Sequence, residues 1–132
     1  MTRLLLDTSV LVDAERTGEL LAHVPEDADV AIAAITLAEL GAGAELGAPR
    51  RRAARAGFLA RVAAIPLVHY DAEVALVHAR LLAEVHRRGT PRGAHDLIIA
   101  ASAVATDRAV VTRDARGFAD LDGLDVIVVG DT

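Results

Sequence analysis

Three kinds of residue are absent or scarce in this chain of 132 residues, and each absence excludes certain kinds of site or core. There is no cysteine, which excludes disulfides and metal sites built on thiolates. There is no lysine, so all 14 basic residues are arginine and no mechanism can use a lysine amine. Aromatic residues make up 2% of a chain that is 53% apolar, so the core must consist of aliphatic side chains. Any metal must therefore be held by oxygen or by histidine.

Long apolar runs are also missing. Residues 4–6 are apolar but end at Asp7, which is too short for the core of a signal peptide. The longest run, residues 97–105, has the length of a buried helix and falls far short of a membrane span. We therefore expect a single domain over residues 1–132, located in the cytoplasm.

Positive charge is scarce overall but concentrated in one stretch. The net charge is −5, which by itself argues against a nucleic-acid partner. Residues 50–92, however, contain nine arginines and three acids, whereas the rest of the chain contains five arginines and sixteen acids. An acidic region beside a basic stretch suits an enzyme that holds a polyanion through a metal and contacts its flanks with arginine.

Short apolar runs alternate with segments of helical pattern along the chain. Strands are predicted at residues 4–6, 29–35, 67–69, 109–112 and 125–129. Helices are predicted at residues 10–12, 15–24, 36–44, 49–64 and 94–105, and Asp71 is expected to cap a further helix that runs to residue 88. This alternation predicts an α/β sandwich with five strands.

Four acidic residues stand one by one where an apolar segment meets the next segment: Asp7, Glu39, Asp96 and Asp114. A parallel α/β sheet brings such positions together, because the carboxyl ends of its strands lie at one edge. Four converging carboxylates would repel one another unless a divalent cation lay between them. A site for Mg²⁺ or Mn²⁺ of this kind suits the cleavage of phosphodiesters.

Each acid also has a simpler structural explanation. Asp7 could cap the helix that follows it, and Glu39 stands three residues after Thr36, as in a capping box. Asp96 falls in the first turn of a helix, where the helix dipole favours an acid, and Asp114 could be an ordinary turn residue. Capping and metal binding are compatible, and the joint pattern favours a shared site.

Further polar residues are weaker candidates. Hydroxyls that could orient the carboxylates or water belong to Thr8, Ser9 and Thr112. The five histidines lack zinc-ligand spacing, although His95 is next to Asp96 and could touch a substrate. Asp120 and Asp122 could add an acid to the site or lie in a solvated loop. The arginines at residues 50–52 could form a solvated helix face or contact RNA or a protein partner.

Four short motifs follow one another along the chain: Asp7-Thr8-Ser9-Val10, Thr36-Leu37-Ala38-Glu39-Leu40, Asp96-Leu97-Ile98-Ile99-Ala100-Ala101, and Val111-Thr112-Arg113-Asp114 with Phe118. They resemble the D-T-S motif, the second acidic motif, the D-x-x-I-A-A helix and the closing T-x-[N/D]-x-x-x-F element of the PIN-domain family. Within that family the chain resembles the VapC-type toxins of bacterial toxin–antitoxin pairs. The resemblance covers essentially the whole chain.

The resemblance implies a PIN-like three-layer α/β/α sandwich with a central, mostly parallel five-stranded sheet. It implies an endoribonuclease that depends on Mg²⁺, for which Mn²⁺ can substitute, and that cleaves a structured RNA with metal-activated water. It also implies a homodimer that a cognate antitoxin neutralises in a heterotetramer or larger assembly. Asp7, Asp96 and Asp114 would hold the metal, while Glu39 would ligate it or position the attacking water. The number of metal ions stays open.

Other enzyme classes with an acidic pocket fit less well. A phosphoacceptor receiver domain needs a lysine, and a D-x-D-x-T phosphatase would need an acid where Ser9 stands. Nucleotide-binding folds would need a glycine-rich loop that this chain lacks. Two alternatives stay open, namely a PIN nuclease that processes RNA as a housekeeping function and a PIN module that only binds.

Overall fold

The computed structural model describes residues 1–19, 22 and 24–130. In that part of the chain the strands are β1 (Arg3–Leu6), β2 (Asp29–Ala33), β3 (Leu67–Val68), β4 (Ala109–Thr112) and β5 (Val126–Val128). The helices are α1 (Thr8–Thr17), α2 (Ala34–Leu46), α3 (Arg52–Ala63), α4 (Ala72–Arg88) and α5 (Ala94–Ala105), with 3₁₀ turns at Pro49–Arg51 and Ala115–Gly117. None of these described helices combines the length and the apolar character needed to cross a membrane.

The five strands form one sheet in the order β3-β2-β1-β4-β5. Each pair of neighbouring strands is parallel, and in the centre Leu5 pairs with Ala31 on one side and with Val110 on the other. The prediction of a mostly parallel five-stranded sheet is therefore confirmed. Because the strands run the same way, the segments that follow β1 and β4 leave the sheet at the same edge.

Alternate residues of the strands supply two separate cores, one on each face of the sheet. One face carries Leu5, Ala31, Ala33 and Val110, which are buried against α4 and α5. The other carries Leu4, Leu6, Ile32 and Val111, which are buried against α1 and α3. The strands are apolar on both faces because helices cover both, as expected for a parallel sheet. This gives the predicted three layers, helix, sheet and helix.

Most predicted elements are present, but the helix expected at residues 15–24 is wrong. Residues 15–17 instead form the last turn of α1, which ends at Gly18. Gly18 has a φ of 79°, a left-handed conformation that glycine adopts readily, and its N–H donates to the carbonyl of Ala14. Residues 20, 21 and 23 of the expected helix lie outside the described part of the chain.

Several further boundaries differ from the prediction, among them the end of β2 and the start of α3. The strand expected at residues 29–35 is two residues shorter, because α2 already begins at Ala34. The helix expected from residue 49 begins as a 3₁₀ turn and becomes α-helical only at Arg52. In contrast, α4 follows Asp71 as predicted, since the Asp71 carboxylate accepts a hydrogen bond of 2.9 Å from the N–H of Val74.

Candidate active site

The four predicted acids meet in one cleft beside the carboxyl edge of the sheet. Asp7 directly follows β1, and Asp114 lies two residues after β4. Glu39 is on the second turn of α2, and Asp96 is in the first turn of α5. The cleft has a volume of about 240 Å³, and its lining consists of Asp7, Thr8, Ser9, Glu39, Asp96, Asp114, Gly117 and Phe118. Four segments that are distant in sequence therefore present their carboxylates to the same space.

Asp7 is buried and is held by hydroxyl groups. Its Oδ2 accepts one hydrogen bond of 2.8 Å from Ser9 and another of 2.8 Å from Thr112. Although Asp7 stands at the N-terminus of α1, its side chain makes no hydrogen bond to the helix backbone. The simpler explanation of Asp7 as a helix cap is therefore wrong. Two of the three predicted hydroxyl residues orient this carboxylate.

Glu39 is held by two donors, one on each carboxylate oxygen. The hydroxyl of Thr8 donates to Oε1 at 2.8 Å, and Nδ1 of His95 lies 3.1 Å from Oε2. The capping box with Thr36 is wrong, because α2 begins at Ala34 and Thr36 is a buried residue inside its first turn. The Thr36 hydroxyl instead lies 3.2 Å from the hydroxyl of Thr8.

The negative charge of the cluster is reflected in the pKa of Asp96. Its partial burial raises the pKa of its carboxyl group above the ordinary value, and the negative charges of Asp7, Glu39 and Asp114 raise this pKa further. The neighbouring His95 acts in the opposite direction and lowers the pKa of Asp96. The cleft therefore concentrates more negative charge than its own side chains neutralise.

The Asp96 carboxylate lies in space that is free because two neighbouring residues are glycines. A β-carbon at position 117 would lie 2.8 Å from Cγ of Asp96 and closer still to its Oδ2. A β-carbon at position 93 would lie 3.1 Å from the same oxygen. Asp96 can keep its position only because residue 117 has no side chain. Gly117 was not predicted as part of the site, since a glycine in a turn has no distinctive pattern in the sequence.

Asp114 is exposed at the mouth of the cleft and is paired with Arg116. Both carboxylate oxygens accept hydrogen bonds from the guanidinium, at 2.5 to 2.9 Å, and Oδ1 also accepts one from the N–H of Arg116 at 3.0 Å. These bonds, first those of the side chain and then that of the backbone, lower the pKa of Asp114 to about 2. Asp114 is thus both a turn residue and a residue of the cleft. Arg116 was not predicted from the sequence.

The chemistry of the donor set fits a hard divalent cation, since it consists of carboxylates and contains no thiolate. Across residues 1–19, 22 and 24–130, however, no three His, Asp or Glu side chains are arranged so that they could hold a metal ion as they stand. Two of the four acids are engaged elsewhere, Glu39 with His95 and Asp114 with Arg116. Recruiting three of the acids to one cation therefore requires side chains to move from these positions.

The other predicted candidates lie outside the cleft lining. Asp120 offers its backbone carbonyl to Arg88 at 2.5 Å, and Asp122 pairs with Arg80 at 3.3 Å on the surface. Arg92 donates to the carbonyl of Ala119 at 2.7 Å, so two arginines of residues 87–92 fasten the loop that follows the 3₁₀ turn at Ala115–Gly117. The arginines at residues 50–52 are exposed. His23 lies outside the described residues.

A larger groove of about 710 Å³ lies between the end of α4 and the start of α5. Its lining is mostly apolar and includes Leu82, Val85 and Leu97, with His86, Arg87 and Arg92 as the polar contributors. It contains no carboxylate and no hydroxyl. The smaller acidic cleft is therefore the better candidate for chemistry on a phosphodiester, although it is not the larger cavity.

Comparison with known sequences agrees with this geometry. The family model of the PIN domain matches residues 4–124. The tRNA(fMet)-specific endonuclease VapC of Salmonella typhimurium is 37% identical over 95 residues, which cover 70% of either chain. Ribonuclease VapC1 of Rickettsia felis is 24% identical over 128 residues, which cover 96% of either chain.

Several solved structures with the same fold come from toxin–antitoxin complexes. VapBC-5 from Mycobacterium tuberculosis has a TM-score of 0.78 and 32% identity, over 98% of this chain and 100% of that chain. VapBC from Salmonella typhimurium, bound to DNA, has a TM-score of 0.77 and 30% identity, over 96% of this chain and 98% of that chain. VapBC2 from Rickettsia felis, bound to a promoter fragment, has a TM-score of 0.82 at 24% identity, which supports the fold alone.

Proposed function

The chain belongs to the PIN-domain family and, within it, to the VapC-type proteins, and from this premise we propose that it is a metal-dependent endoribonuclease toxin restrained by a cognate antitoxin. The observation that carries the proposal is the convergence of four carboxylates from four separate segments in one cleft. Relatives named as endonuclease and ribonuclease support the reaction class.

In the proposed mechanism, Asp7, Asp96 and Asp114 would hold a divalent cation. Glu39 would ligate it or, as we favour, position the attacking water. Mg²⁺ or Mn²⁺, when bound, supplies positive charge for the phosphate and lowers the pKa of water. Ser9 and Thr112 keep the Asp7 carboxylate in one orientation, and Thr8 does the same for Glu39.

Pre-positioned carboxylates matter because they need little reorganisation during the reaction. Asp7 is fixed and buried, so its carboxylate is available in one orientation before any ligand arrives. Asp114 is exposed and paired with Arg116, so it has to exchange this partner to bind a cation. We infer that Asp7 and Asp96 form the stable part of the site and that Asp114 joins them on binding.

The proposed substrate is a structured RNA, and tRNA is the first to test, because the Salmonella relative is named as specific for a tRNA. The proposed partners are a second copy of the chain and a cognate antitoxin, and the VapBC structures of the same fold support the antitoxin partner. We propose that the antitoxin covers the acidic cleft. We expect the antitoxin to present a basic side chain to the carboxylates, which would compete with the metal. A cytoplasmic location is part of the same proposal.

The experiment is cleavage of total tRNA by purified, antitoxin-free protein in Mg²⁺, in Mn²⁺ and in EDTA. We expect cleavage with either cation and none in EDTA. Asp7→Asn and Asp96→Asn should abolish cleavage while circular dichroism stays that of the wild type. Asp122→Asn is the matched control, because Asp122 is a surface aspartate outside the cleft, and it should cleave normally.

Expression in a bacterial host then separates a toxin from a housekeeping nuclease. A toxin should arrest growth when expressed alone, and both Asp96→Asn and coexpression with the antitoxin should relieve the arrest. Full cleavage in EDTA, or in both Asp→Asn variants, would contradict the metal mechanism. RNA binding without cleavage in any cation would instead favour the non-catalytic binding module.

A further inference from the structure

We infer that His95 is a positioning residue of this active site, which acts by fixing the carboxylate of Glu39; the inference rests on the proposed ribonuclease function. Nδ1 of His95 lies 3.1 Å from Oε2 of Glu39. The two residues are 56 positions apart in sequence and belong to α5 and α2. The contact therefore joins the two helices that carry Glu39 and Asp96.

The contact with His95 completes a two-sided support for Glu39. Thr8 donates to Oε1, so the two carboxylate oxygens have different donors on different elements. A glutamate has three side-chain torsions, and a partly exposed one would sample many orientations. Fixing such a side chain costs conformational entropy, which the fold has to offset before the reaction. With a donor on each oxygen, the plane of the Glu39 carboxylate is determined.

The support still leaves Glu39 able to act. Each carboxylate oxygen can accept more than one hydrogen bond, so Oε1 and Oε2 retain lone pairs for a water or a cation. His95 is itself half-exposed, but its backbone is in the first turn of α5, a helix whose following turns are buried in the core. The ring is therefore presented from a rigid element, as a positioning residue requires.

The role depends on the N–H donor at the position of Nδ1. A carboxylate only accepts hydrogen bonds, so Nδ1 must carry the hydrogen in this contact. Asparagine places its amide nitrogen at the same distance along the side chain as Nδ1, whereas glutamine places it one bond further out. His95→Asn should therefore keep the support, and His95→Ala and His95→Gln should lose it. An asparagine side chain has no ring to protonate, so the comparison separates the donor from the charge of the histidine.

Kinetics on the RNA substrate test the role. Residues that orient a functional side chain typically contribute 10-fold to 100-fold, and we expect a loss of about 10-fold in kcat for His95→Ala with little change in KM. The kcat of His95→Asn should stay within about 3-fold of the wild-type value. On a logarithmic scale this is half or less of the loss expected for His95→Ala. His78→Ala is the matched control, because His78 is a partly exposed histidine that contacts Tyr70 and does not line the cleft.

A double-mutant cycle tests whether His95 acts through Glu39. In a Glu39→Ala background, His95→Ala should cause no further loss, because the carboxylate that it positions is already absent. A loss of similar size in both backgrounds would overturn the inference and would indicate that the imidazole touches the RNA directly. Wild-type kinetics in His95→Ala, or equal losses in His95→Asn and His95→Ala, would also overturn it.

A structural readout keeps the inference testable without activity. In protein labelled with ¹⁵N-histidine, the Nδ1 signal of His95 should shift in Glu39→Ala, because its hydrogen-bond acceptor is lost. It should not shift in Glu45→Ala, which changes an exposed acid of the same helix outside the cleft. An unchanged signal in Glu39→Ala would refute the contact. Absence of cleavage by the wild-type protein would instead refute the proposed function and leave this spectrum to decide the contact.

Discussion

Replacing Gly117 with alanine should displace the carboxylate of Asp96 and inactivate the enzyme without unfolding it. The added β-carbon would lie 2.8 Å from Cγ of Asp96, so this carbon has to retreat by roughly 0.6 Å to reach the 3.4 Å at which ordinary van der Waals contact begins. The backbone of Gly117 is not in the left-handed region, so the conflict is steric, and the three atoms nearest the added β-carbon all belong to Asp96.

The size of the effect follows from this displacement. A misplacement of about 1 Å costs about 100-fold in catalysis, so a retreat of more than half that distance should cost about 10-fold or more in kcat/KM. The atoms that have to move form the carboxylate at the end of the partly exposed Asp96 side chain. We therefore expect a loss of stability at the low end of the ~1–3 kcal/mol that overpacking causes.

The assay compares Mg²⁺-dependent RNA cleavage and thermal melting in Gly117→Ala with the same measurements in Gly57→Ala. Gly57 is exposed inside α3 and has nothing within 4 Å of an added β-carbon. Gly57→Ala should therefore keep full activity and gain about 1 kcal/mol from the higher helix propensity of alanine. A fully active, folded Gly117→Ala variant would refute the reasoning, because Asp96 would then not need the position that the structure gives it.

Three further predictions concern charge. The pKa of Asp96 is raised in the folded state, so the protein without metal loses stability as the pH rises through that pKa. The Asp96→Asn variant should not show this loss and should melt no lower than the wild type in EDTA. The pKa of Asp114 is lowered to about 2, so its pairing with Arg116 stabilises the fold at pH values above the ordinary pKa of 3.8, and this stabilisation is lost as the pH falls toward 2. In an NMR titration, Arg116→Ala should raise the pKa of Asp114 again. If residues 50–52 contact phosphates, changing all three arginines to alanine should reduce the salt slope of RNA binding by roughly 0.7 to 0.9 per contact, and an unchanged slope would assign them to a solvated face.

The sequence was sufficient to predict the features that depend on local pattern. The strand at Ala109–Thr112 and the helix at Ala94–Ala105 were predicted with the bounds that the structure has, because an apolar run between polar boundaries limits both elements. The meeting of Asp7 and Asp114 could be predicted because each follows a strand and parallel strands end at one edge.

The features that could not be predicted depend on contacts between distant segments or on a single backbone angle. Gly117 belongs to the site because it lies against Asp96, and the 21 positions that separate them leave no pattern in the sequence. The two-sided support of Glu39 by Thr8 and His95 exists only once α2 and α5 are docked. The end of α1 depends on the left-handed conformation of Gly18, which a polar, helix-compatible sequence around it conceals.

Calorimetric titration of the purified protein with Mn²⁺ tests the central claim most directly, which is that Asp7, Asp96 and Asp114 form one metal site in the acidic cleft. We expect saturable binding by the wild type, binding at least about 10-fold weaker in Asp96→Asn, and wild-type binding in the surface control Asp122→Asn. Equal Mn²⁺ affinity in the wild type and Asp96→Asn, or no binding at millimolar Mn²⁺ by the wild type, would contradict the account.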